Sequence, residues 1–348
     1  MKTLWIDALT PKQALLSIKI MEEAEEIGFK SIITTREYDY TTGIFERKNV
    51  EAIIMGRHGG EKLEGKLMAS LERSIKLAEF ITKLDEKPSY HISLSSPEAV
   101  RVAFGLSIPI IITNDTPHSK YVNKLTIPLA DKLIIPKAVP IESYKGMIEE
   151  EKIIQYNGVD ELSWIKSFKI DPKVPEELGL NKDDKIIIAR EAEYKASYYK
   201  WVEKPVIRII RKILNEFHEV RIVYFPRYED EMREIPKNVI VPEKAIDTIS
   251  LMKYSILTIS GGGTMARESA LIGTPSISLF PTLIHVNKWL EEIGLPIKSF
   301  RNVEEAYEYL KEIIMNPEKY KTNTEEIIRG MEDPVEIIVK ILRGECNG

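Results

Sequence analysis

Short apolar runs rich in Ile and Val alternate along the chain with longer segments in which apolar residues recur at helical spacing. Strands that crossover helices cover on both faces have this pattern, so it predicts parallel sheets assembled from βαβ units. The first half is predicted to contain strands 3–8, 31–36, 51–56, 90–95, 109–115, 132–136 and 152–157, with helices 11–27, 63–86, 97–106 and 119–130. The second half is predicted to contain strands 185–190, 221–226, 239–242, 255–260 and 276–281, with helices 205–217, 245–253, 264–272, 285–293 and 303–315.

Two successive α/β series of similar size predict two Rossmann-like, doubly wound domains that face each other across a central cleft. We expect an N-terminal, acceptor-side domain over residues 1–160, a linker over 161–175 and a nucleotide-binding C-terminal domain over 176–322. The last segment, 323–348, is expected to be helical, to be interrupted by Pro334 and to pack back on the N-terminal domain.

Composition narrows the class of protein. Hydrophobic residues make up 43% and charged residues 30% of the chain, which is typical of a globular protein. The 49 Lys and Arg against 54 Asp and Glu give a net charge of −5, so no basic footprint for nucleic acid is expected. The single cysteine, Cys346, excludes an internal disulfide and favours a reducing compartment. No signal peptide or membrane-spanning stretch is recognised, so we expect a cytoplasmic protein, with peripheral membrane contact as a further possibility.

The basic residues of one predicted helix are the reason for considering membrane contact. Helix 63–86 is interpreted as mainly solvated, with Lys66, Arg73, Lys76 and Lys83 forming a mildly basic stripe that could lie near anionic lipid.

The strongest local signal is a glycine-rich turn between a predicted strand and a predicted helix in the second half. Glycines let backbone N–H groups approach a phosphate, and a helix N-terminus adds unpaired donors, so the turn is a candidate diphosphate site. An acid one helical turn further on could reach ribose hydroxyls. Equally, the glycines could form only a tight turn, with the threonine capping the helix and the acid complementing its dipole. The candidate nucleotide-binding residues here are Ser260, Gly261, Gly262, Gly263, Thr264 and Glu268.

Arg190 ends the first strand of the second series, where its guanidinium could bind a diphosphate bidentately. The alternative is a surface salt bridge with Glu191 or Glu193.

Polar residues also follow a buried-type strand in the first half, where the carboxyl ends of parallel strands bind ligands. Asp115 and His118 are candidate catalytic bases for an acceptor hydroxyl, and Asn114 is a candidate substrate ligand. Helix capping by Asp115 and a surface position for His118 would explain the same residues without function.

Two other strand ends supply weaker candidates. Asp7 could be a catalytic acid or base or a turn cap, and Thr10 could bind substrate. His58 and Gly59 lie in a glycine-containing loop that could contact substrate or be idle.

The order of elements from strand 255–260 to the Gly273-x-Pro275 turn resembles the donor site of GT-B enzymes. It is similar to the MurG-type N-acetylglucosaminyltransferases and the non-hydrolysing UDP-N-acetylglucosamine 2-epimerases. The resemblance implies phosphate contacts from Gly262, Gly263 and Thr264 and a ribose contact from Glu268. Gly263-Thr264 stands where the epimerases have a Gly pair, and of their His-Arg pair only Arg190 is kept.

Nearly the whole chain resembles a family catalogued as domain of unknown function 354. The resemblance is carried by WIDALTP (5–11), TTREYDYT (34–41), GRHGG (56–60), SSPEAVRVAFGLSIP (95–109), NDTPHSKYVNKLTIPLAD (114–131) and AREAEYKASYY (189–199). It implies a GT-B fold. Together with the donor-site resemblance, it leads us to expect a sugar transferase that takes a UDP-linked sugar as substrate, with an unidentified acceptor such as a membrane glycolipid. The alternatives are a 2-epimerase-like enzyme and a non-catalytic nucleotide-sugar-binding protein. The sequence contains no metal-site motif, so transfer is expected to need neither a metal nor a cofactor.

Overall fold

The computed structural model describes residues 2–38, 40–195 and 204–345. Residues 196–199 of the segment 189–199, and Cys346, lie outside the described residues. The chain divides into two compact units: unit 1 is Met1–Trp164 with Met331–Gly348, and unit 2 is Ile165–Gly330.

The strands of the described residues are β1 (Lys2–Ala8), β2 (Phe29–Glu37), β3 (Ile53–Arg57), β4 (Tyr90–Ser93), β5 (Ile110–Thr113), β6 (Lys132–Pro136), β7 (Ile153–Tyr156), β8 (Lys185–Arg190), β9 (Val220–Tyr224), β10 (Ser255–Ser260), β11 (Ser276–Ser278) and β12 (Ile297–Ser299). The helices are α1 (Pro11–Glu26), α2 (Thr41–Arg47), α3 (Leu63–Thr82), α4 (Pro97–Gly105), α5 (Lys120–Thr126), α6 (Leu162–Ile165), α7 (Val174–Glu177), α8 (Pro205–Glu216), α9 (Thr248–Tyr254), α10 (Thr264–Leu271), α11 (His285–Glu292), α12 (Val303–Met315), α13 (Pro317–Tyr320), α14 (Glu325–Arg329) and α15 (Pro334–Leu342).

Unit 1 is built on a sheet whose described strands run β3-β2-β1-β4-β5-β6-β7, and every described pair is parallel. The central strands β1 and β5 are buried along most of their length, as expected for strands with helices on both faces. The C-terminal helix α15 returns to this unit, where it packs against α1 and the Asp333 carboxylate accepts a 2.5 Å hydrogen bond from Ser163.

Unit 2 contains a second parallel sheet, with described strands in the order β12-β11-β10-β8-β9. One face packs on α8 and α12 around Ile210 and Leu310, and the other packs on α7 and α9 around Val174 and Leu251. The prediction of two Rossmann-like α/β sheets is therefore confirmed.

The structure differs from the predicted elements in three places. Residues 239–242 form no strand, because only an isolated bridge joins Ile240 to Val223. The predicted linker 161–175 includes buried residues of both units, among them Trp164 and Val174. Pro334 interrupts no helix; it is the first residue of α15, a position where its missing N–H costs nothing.

The largest difference concerns α3. Arg73, predicted to lie on a solvated basic stripe, is 1% exposed and faces the sheet together with Leu77 and Ile81. Its guanidinium clamps the Asp7 carboxylate of β1, with Nη2 2.6 Å from Oδ1 and Nη1 3.2 Å from Oδ2. The Arg73 Nε donates to the backbone oxygen of Met55 in β3 at 2.9 Å. The interpretation of a solvated basic stripe was therefore wrong at Arg73.

The Asp7 carboxylate has further donors. The Thr34 hydroxyl donates to its Oδ1 at 2.5 Å, and the Trp5 indole donates to that same hydroxyl at 2.8 Å. Burial alone would raise the pKa of Asp7, but the charge and hydrogen bonds of Arg73, aided by Ser96 and Thr34, hold it below its ordinary value. Asp7 is thus a buried structural anion that joins β1, β2 and α3.

In the part of the chain that the structure describes, no helix is long and apolar enough to cross a bilayer.

We expect Arg73→Met to lower the free energy of unfolding by about 3–5 kcal/mol, because it leaves the Asp7 carboxylate buried without its counter-ion. The exposed Lys76→Met substitution on the same helix should change it by less than about 0.5 kcal/mol. Urea unfolding followed by circular dichroism measures both, and equal effects of the two substitutions would contradict the structural role of the pair.

Candidate functional site

The glycine-rich turn of unit 2 connects the end of β10 at Ser260 to the start of α10 at Thr264. The Gly262 N–H donates to the Ser260 hydroxyl at 3.1 Å, and the Ser278 hydroxyl of β11 donates to the Gly262 carbonyl at 2.9 Å. These bonds fix the turn in front of the α10 N-terminus, whose first N–H groups have no partner within the helix. Thr264 is the first helical residue, and the N-cap position is taken by Gly263, which has no side chain to cap the helix.

The three glycines of the turn have different surroundings. A Cβ at Gly261 would overlap the backbone nitrogen of Ala192, and one at Gly263 would overlap the Arg267 guanidinium. A Cβ at Gly262 would meet only the Ser260 hydroxyl, at 4.0 Å. Close packing therefore explains two of the glycines, whereas Gly262 leaves space through which a ligand could approach the backbone.

Arg190 lies beside this turn. It is the register partner of Ser260, and its backbone oxygen accepts a 2.9 Å hydrogen bond from the Gly261 N–H. The structure thus brings together the two parts of the predicted nucleotide site that are farthest apart in sequence, Arg190 and residues 260–264.

Glu268 is 4% exposed on α10, and its neighbour Arg267 is equally buried. The Arg267 Nη1 donates to the Asn287 side-chain oxygen of α11 at 3.2 Å. Sequence reasoning missed Arg267 and Asn287. The only available signal was the Arg267-Glu268 doublet itself, since a charged pair at the start of a buried helix needs partners.

Glu191, proposed as a surface partner of Arg190, is buried instead and caps α8. Its Oε2 accepts hydrogen bonds from the N–H groups of Val206 at 3.0 Å and Ile207 at 3.2 Å, and its Oε1 accepts one from Ala192 at 3.1 Å. Burial nevertheless raises the pKa of Glu191 to about 7, against the lowering effect of these bonds.

At the carboxyl edge of the unit 1 sheet, the Asn114 side chain holds the loop after β5 in place through hydrogen bonds. Its amide nitrogen donates to Ser95 at 2.8 Å and to Asn123 at 2.9 Å. Its oxygen accepts from the Tyr144 hydroxyl at 2.7 Å and the Thr116 N–H at 2.9 Å. These partners use all four of its hydrogen-bonding positions, which favours a positioning role over substrate contact.

Asp115, the next residue, lies in a cluster of three buried carboxylates around one lysine. The Lys12 ammonium is 2.5 Å from Asp115 Oδ2, 2.7 Å from Asp160 Oδ2 and 3.6 Å from Glu161 Oε1. The Tyr156 hydroxyl donates to Asp160 Oδ1 at 2.5 Å. Burial raises the pKa of Asp160, Lys12 opposes that rise, and the charges of Asp115 and Glu161 add to it.

Lys12, Asp160 and Glu161 were absent from the predicted site. Lys12 does carry a sequence signal, since a cation in the first turn of a helix opposes the helix dipole and needs a compensating anion.

The remaining candidates of unit 1 have structural partners. The Thr10 hydroxyl accepts the Gln13 N–H at 3.4 Å as the N-cap of α1. The His58 ring stacks on Tyr38 with centroids 4.7 Å apart, and its Nδ1 accepts the Gly60 N–H at 3.2 Å. Gly59 permits close backbone approach to Gly65 at the start of α3. His118 is half-buried in the loop before α5.

Within the described ranges, no group of three or more His, Cys, Asp or Glu side chains is arranged to hold a metal ion.

Comparison with known proteins identifies the family of this chain. The model of the family described as Protein of unknown function (DUF354) matches residues 2–346. The chain belongs to this family.

Three similarities accompany that assignment. This DUF354 chain is 32% identical over 316 residues to Uncharacterized protein MJ0665 of Methanocaldococcus jannaschii, covering 88% of the chain and 90% of the relative. It is 26% identical over 217 residues to lipid-A-disaccharide synthase of Persephonella marina, covering 56% of the chain and 53% of that relative. The solved structure of Methanocaldococcus jannaschii UDP-GlcNAc 2-epimerase, in complex with UDP-GlcNAc and UDP, superposes with a TM-score of 0.74 at 18% identity, covering 98% of this chain and 99% of that one. The last similarity shows a two-domain GT-B-like fold, as the sequence predicted.

The capping carboxylate Glu191 predicts a pH dependence of stability. Its pKa of about 7 in the folded chain exceeds the ordinary 4.5, so the folded state binds the proton more tightly between these values. The free energy of unfolding should therefore fall, through Glu191, as pH rises from about 4.5 to about 7, and stay level above that. Urea unfolding across this pH range should show that the free energy of unfolding falls less steeply with pH for Glu191→Gln than for the wild type. The exposed Glu229→Gln should keep the wild-type dependence of the free energy of unfolding on pH. The same dependence in Glu191→Gln would contradict the raised pKa of Glu191.

Proposed function

We propose that this protein is a GT-B-type glycosyltransferase that takes a UDP-linked hexose or N-acetylhexosamine as donor. The observation that supports the proposal is the open space at Gly262, where an added Cβ would meet only the Ser260 hydroxyl at 4.0 Å, in front of the α10 N-terminus and beside Arg190. A helix N-terminus with an adjacent guanidinium is suited to a diphosphate. The sequence similarity to lipid-A-disaccharide synthase, itself named as a synthase of a disaccharide, supports sugar transfer.

Unit 2 is proposed to bind the nucleotide. The N–H groups of Gly263 and Thr264 would bind the diphosphate, and Gly262, whose own N–H donates to Ser260, would leave the space for it. The Arg190 guanidinium would neutralise the charge of the diphosphate, and Glu268 would accept hydrogen bonds from the ribose hydroxyls. Arg267, held by Asn287 behind Gly263, would add positive charge near the same phosphates. These groups would supply the positive charge that the leaving diphosphate needs, so we expect no metal ion and no cofactor.

Unit 1 is proposed to supply the base. Asp115 removes the proton from an acceptor hydroxyl, the hydroxyl oxygen bonds to the anomeric carbon, and the bond from that carbon to the diphosphate breaks, releasing the nucleoside diphosphate. The Lys12 ammonium, 2.5 Å from Asp115, favours the ionised carboxylate that this step requires. The acceptor is a small molecule or a glycolipid, which product analysis would identify.

A second candidate is a 2-epimerase that eliminates and re-adds the nucleotide. The superposition on UDP-GlcNAc 2-epimerase at a TM-score of 0.74 favours it. Incubation with UDP-GlcNAc alone, followed by NMR of the sugar, separates the candidates: an epimer identifies the epimerase, and release of UDP identifies transfer to water. Binding of sugar nucleotides without any turnover would indicate a non-catalytic binding protein.

The donor site predicts separable effects of two substitutions. Gly262→Ala should weaken UDP binding at least tenfold in calorimetry while leaving the melting temperature unchanged, because its methyl group fills ligand space and meets only Ser260 at 4.0 Å. Glu268→Gln should weaken uridine and UDP to a similar extent through the ribose. The exposed Glu72→Ala in unit 1 is the control. Wild-type affinity for every nucleotide in both variants would disprove the donor site.

If Asp115 is the base, its substitution should slow the reaction much more than substitution of His118. Asp115→Asn should lower the rate of nucleoside diphosphate release by about 10²–10⁴-fold with unchanged donor affinity, because general-base catalysis is lost. His118→Ala should retain most of the rate. If His118→Ala loses the rate and Asp115→Asn keeps it, the base is His118. Full activity in both variants would exclude each of them as the base.

A further inference from the structure

Arg36 is the residue before the last of β2, at the carboxyl edge of the unit 1 sheet. Side chains alternate along a strand, so Arg36 lies on the same face of β2 as Thr34. The ion pair of Asp7 and Arg73 is on that face too, since the Thr34 hydroxyl donates to Asp7. Arg36 therefore lies beyond this ion pair, at the edge where parallel α/β sheets bind ligands.

The guanidinium of Arg36 is partly buried without a carboxylate of its own. Its Nε is buried and has no hydrogen-bond partner among the described residues. Asp7 is not available to it, because Arg73 binds both oxygens of that carboxylate. Burial lowers the pKa of Arg36, and the charge of Glu98 opposes this only in part. The Glu98 Oε2 lies 3.8 Å from the Arg73 Nη1, so Arg73 also shares this second acid.

An aromatic ring is what Arg36 does contact. Its Cζ lies 5.1 Å from the centroid of the Tyr38 ring, and the other neighbour of that ring is His58. A cation–π contact of this kind uses the positive charge of the guanidinium and leaves its N–H donors for another group. Two of these donors can form parallel hydrogen bonds to one phosphate or carboxylate group.

The two arginines on this face of the sheet differ in how the protein satisfies them. Arg73 donates to Asp7 and to the backbone oxygen of Met55, so protein atoms accept its hydrogen bonds. The Nε–H of Arg36 has no such acceptor in the part of the chain that the structure describes. A buried donor without an acceptor costs free energy, which a bound oxygen atom recovers. The difference points to a ligand that brings its own oxygen atoms to Arg36.

We propose that Arg36 binds an oxyanion, the phosphate or carboxylate group of a ligand, at the carboxyl edge of the unit 1 sheet. A second step rests on the proposed function: this ligand is the acceptor, which then has an acidic group in addition to the hydroxyl that Asp115 deprotonates. Because β2 and β5 are three strand spacings apart in the sheet, the acidic group and the hydroxyl are separated by about 14 Å.

NMR of arginine side chains tests the contact in the wild-type full chain. The protein has isotopically labelled arginine and is saturated with UDP, so that phosphate does not compete for the proposed donor site. The Arg36 Nε–H signal, identified by its loss in Arg36→Lys, should move saturably as sodium phosphate is added. The signal of the exposed Arg57, on the adjacent strand, should not. An Arg36 signal that stays in place, or moves as far in sodium chloride of equal ionic strength, overturns the proposal.

Thermal unfolding tests the same contact with variants. Phosphate should raise the melting temperature of the UDP-saturated wild type and of the matched control Arg57→Gln, because a ligand that binds only the folded state stabilises it. Arg36→Gln should need at least tenfold more phosphate for the same rise. Arg36→Lys keeps the charge but not the planar fork, so its rise should be intermediate. A wild-type rise in Arg36→Gln overturns the proposal, and if that variant does not fold, the NMR titration of the wild type decides.

A parallel titration with acetate identifies the acidic group. Stronger binding of phosphate indicates a phosphorylated ligand, stronger binding of acetate indicates a carboxylated one, and no response of Arg36 to either overturns the proposal. Both readouts are independent of turnover, so their failure leaves the proposed transferase intact. If UDP does not bind, the proposed function fails instead, and the titration without UDP still measures whether phosphate binds at Arg36.

Discussion

The ion pair between Asp7 and Arg73 joins the first strand of unit 1 to its longest described helix, and the arrangement of that unit follows from it. Taking both charges out of water is costly, so such a pair persists only where good geometry and extra hydrogen bonds compensate. Here the guanidinium uses three of its nitrogen atoms on β1 and β3, and Thr34 supplies the carboxylate with a further donor. The pair fixes the rotation of α3 about its axis, which buries Leu77 and Ile81 and leaves Leu71 and Ile75 exposed.

The three glycines of the unit 2 turn differ in what their surroundings require. Gly261 and Gly263 are required by their neighbours Ala192 and Arg267, so a purely structural explanation is sufficient for them. Gly262 has no such neighbour, since an added Cβ would meet only the Ser260 hydroxyl at 4.0 Å. The proposed donor site therefore rests on Gly262, and packing accounts for the other two glycines.

The pattern of apolar runs predicted the two sheets because strand burial is a local property that each run expresses on its own. The interactions that hold the buried charged side chains are not local. Asp7 and Arg73 are separated by 66 positions and Lys12 and Asp115 by 103, so no window of sequence contains both partners. Arg73 was misplaced because a basic residue is ordinarily solvated, and its burial depends on an anion contributed by another element. The strand predicted at 239–242 was wrong for a related reason: the run is apolar enough for a strand, but it pairs with a neighbouring strand through an isolated bridge at Ile240 and forms no continuous ladder.

The Lys12 cluster bears on how a buried carboxylate can act as a base. If Asp115 were the sole partner of Lys12, taking up a proton would leave a largely buried ammonium unpaired, and that penalty would oppose the reaction. Asp160 and Glu161 lie 2.7 and 3.6 Å from the same ammonium, so the lysine keeps an anionic partner when Asp115 is protonated. Burial raises the pKa of Asp160, and the charges of Asp115 and Glu161 add to that rise. In the proposed transfer, the two neighbouring carboxylates would therefore be the feature that keeps Lys12 paired while Asp115 holds the proton.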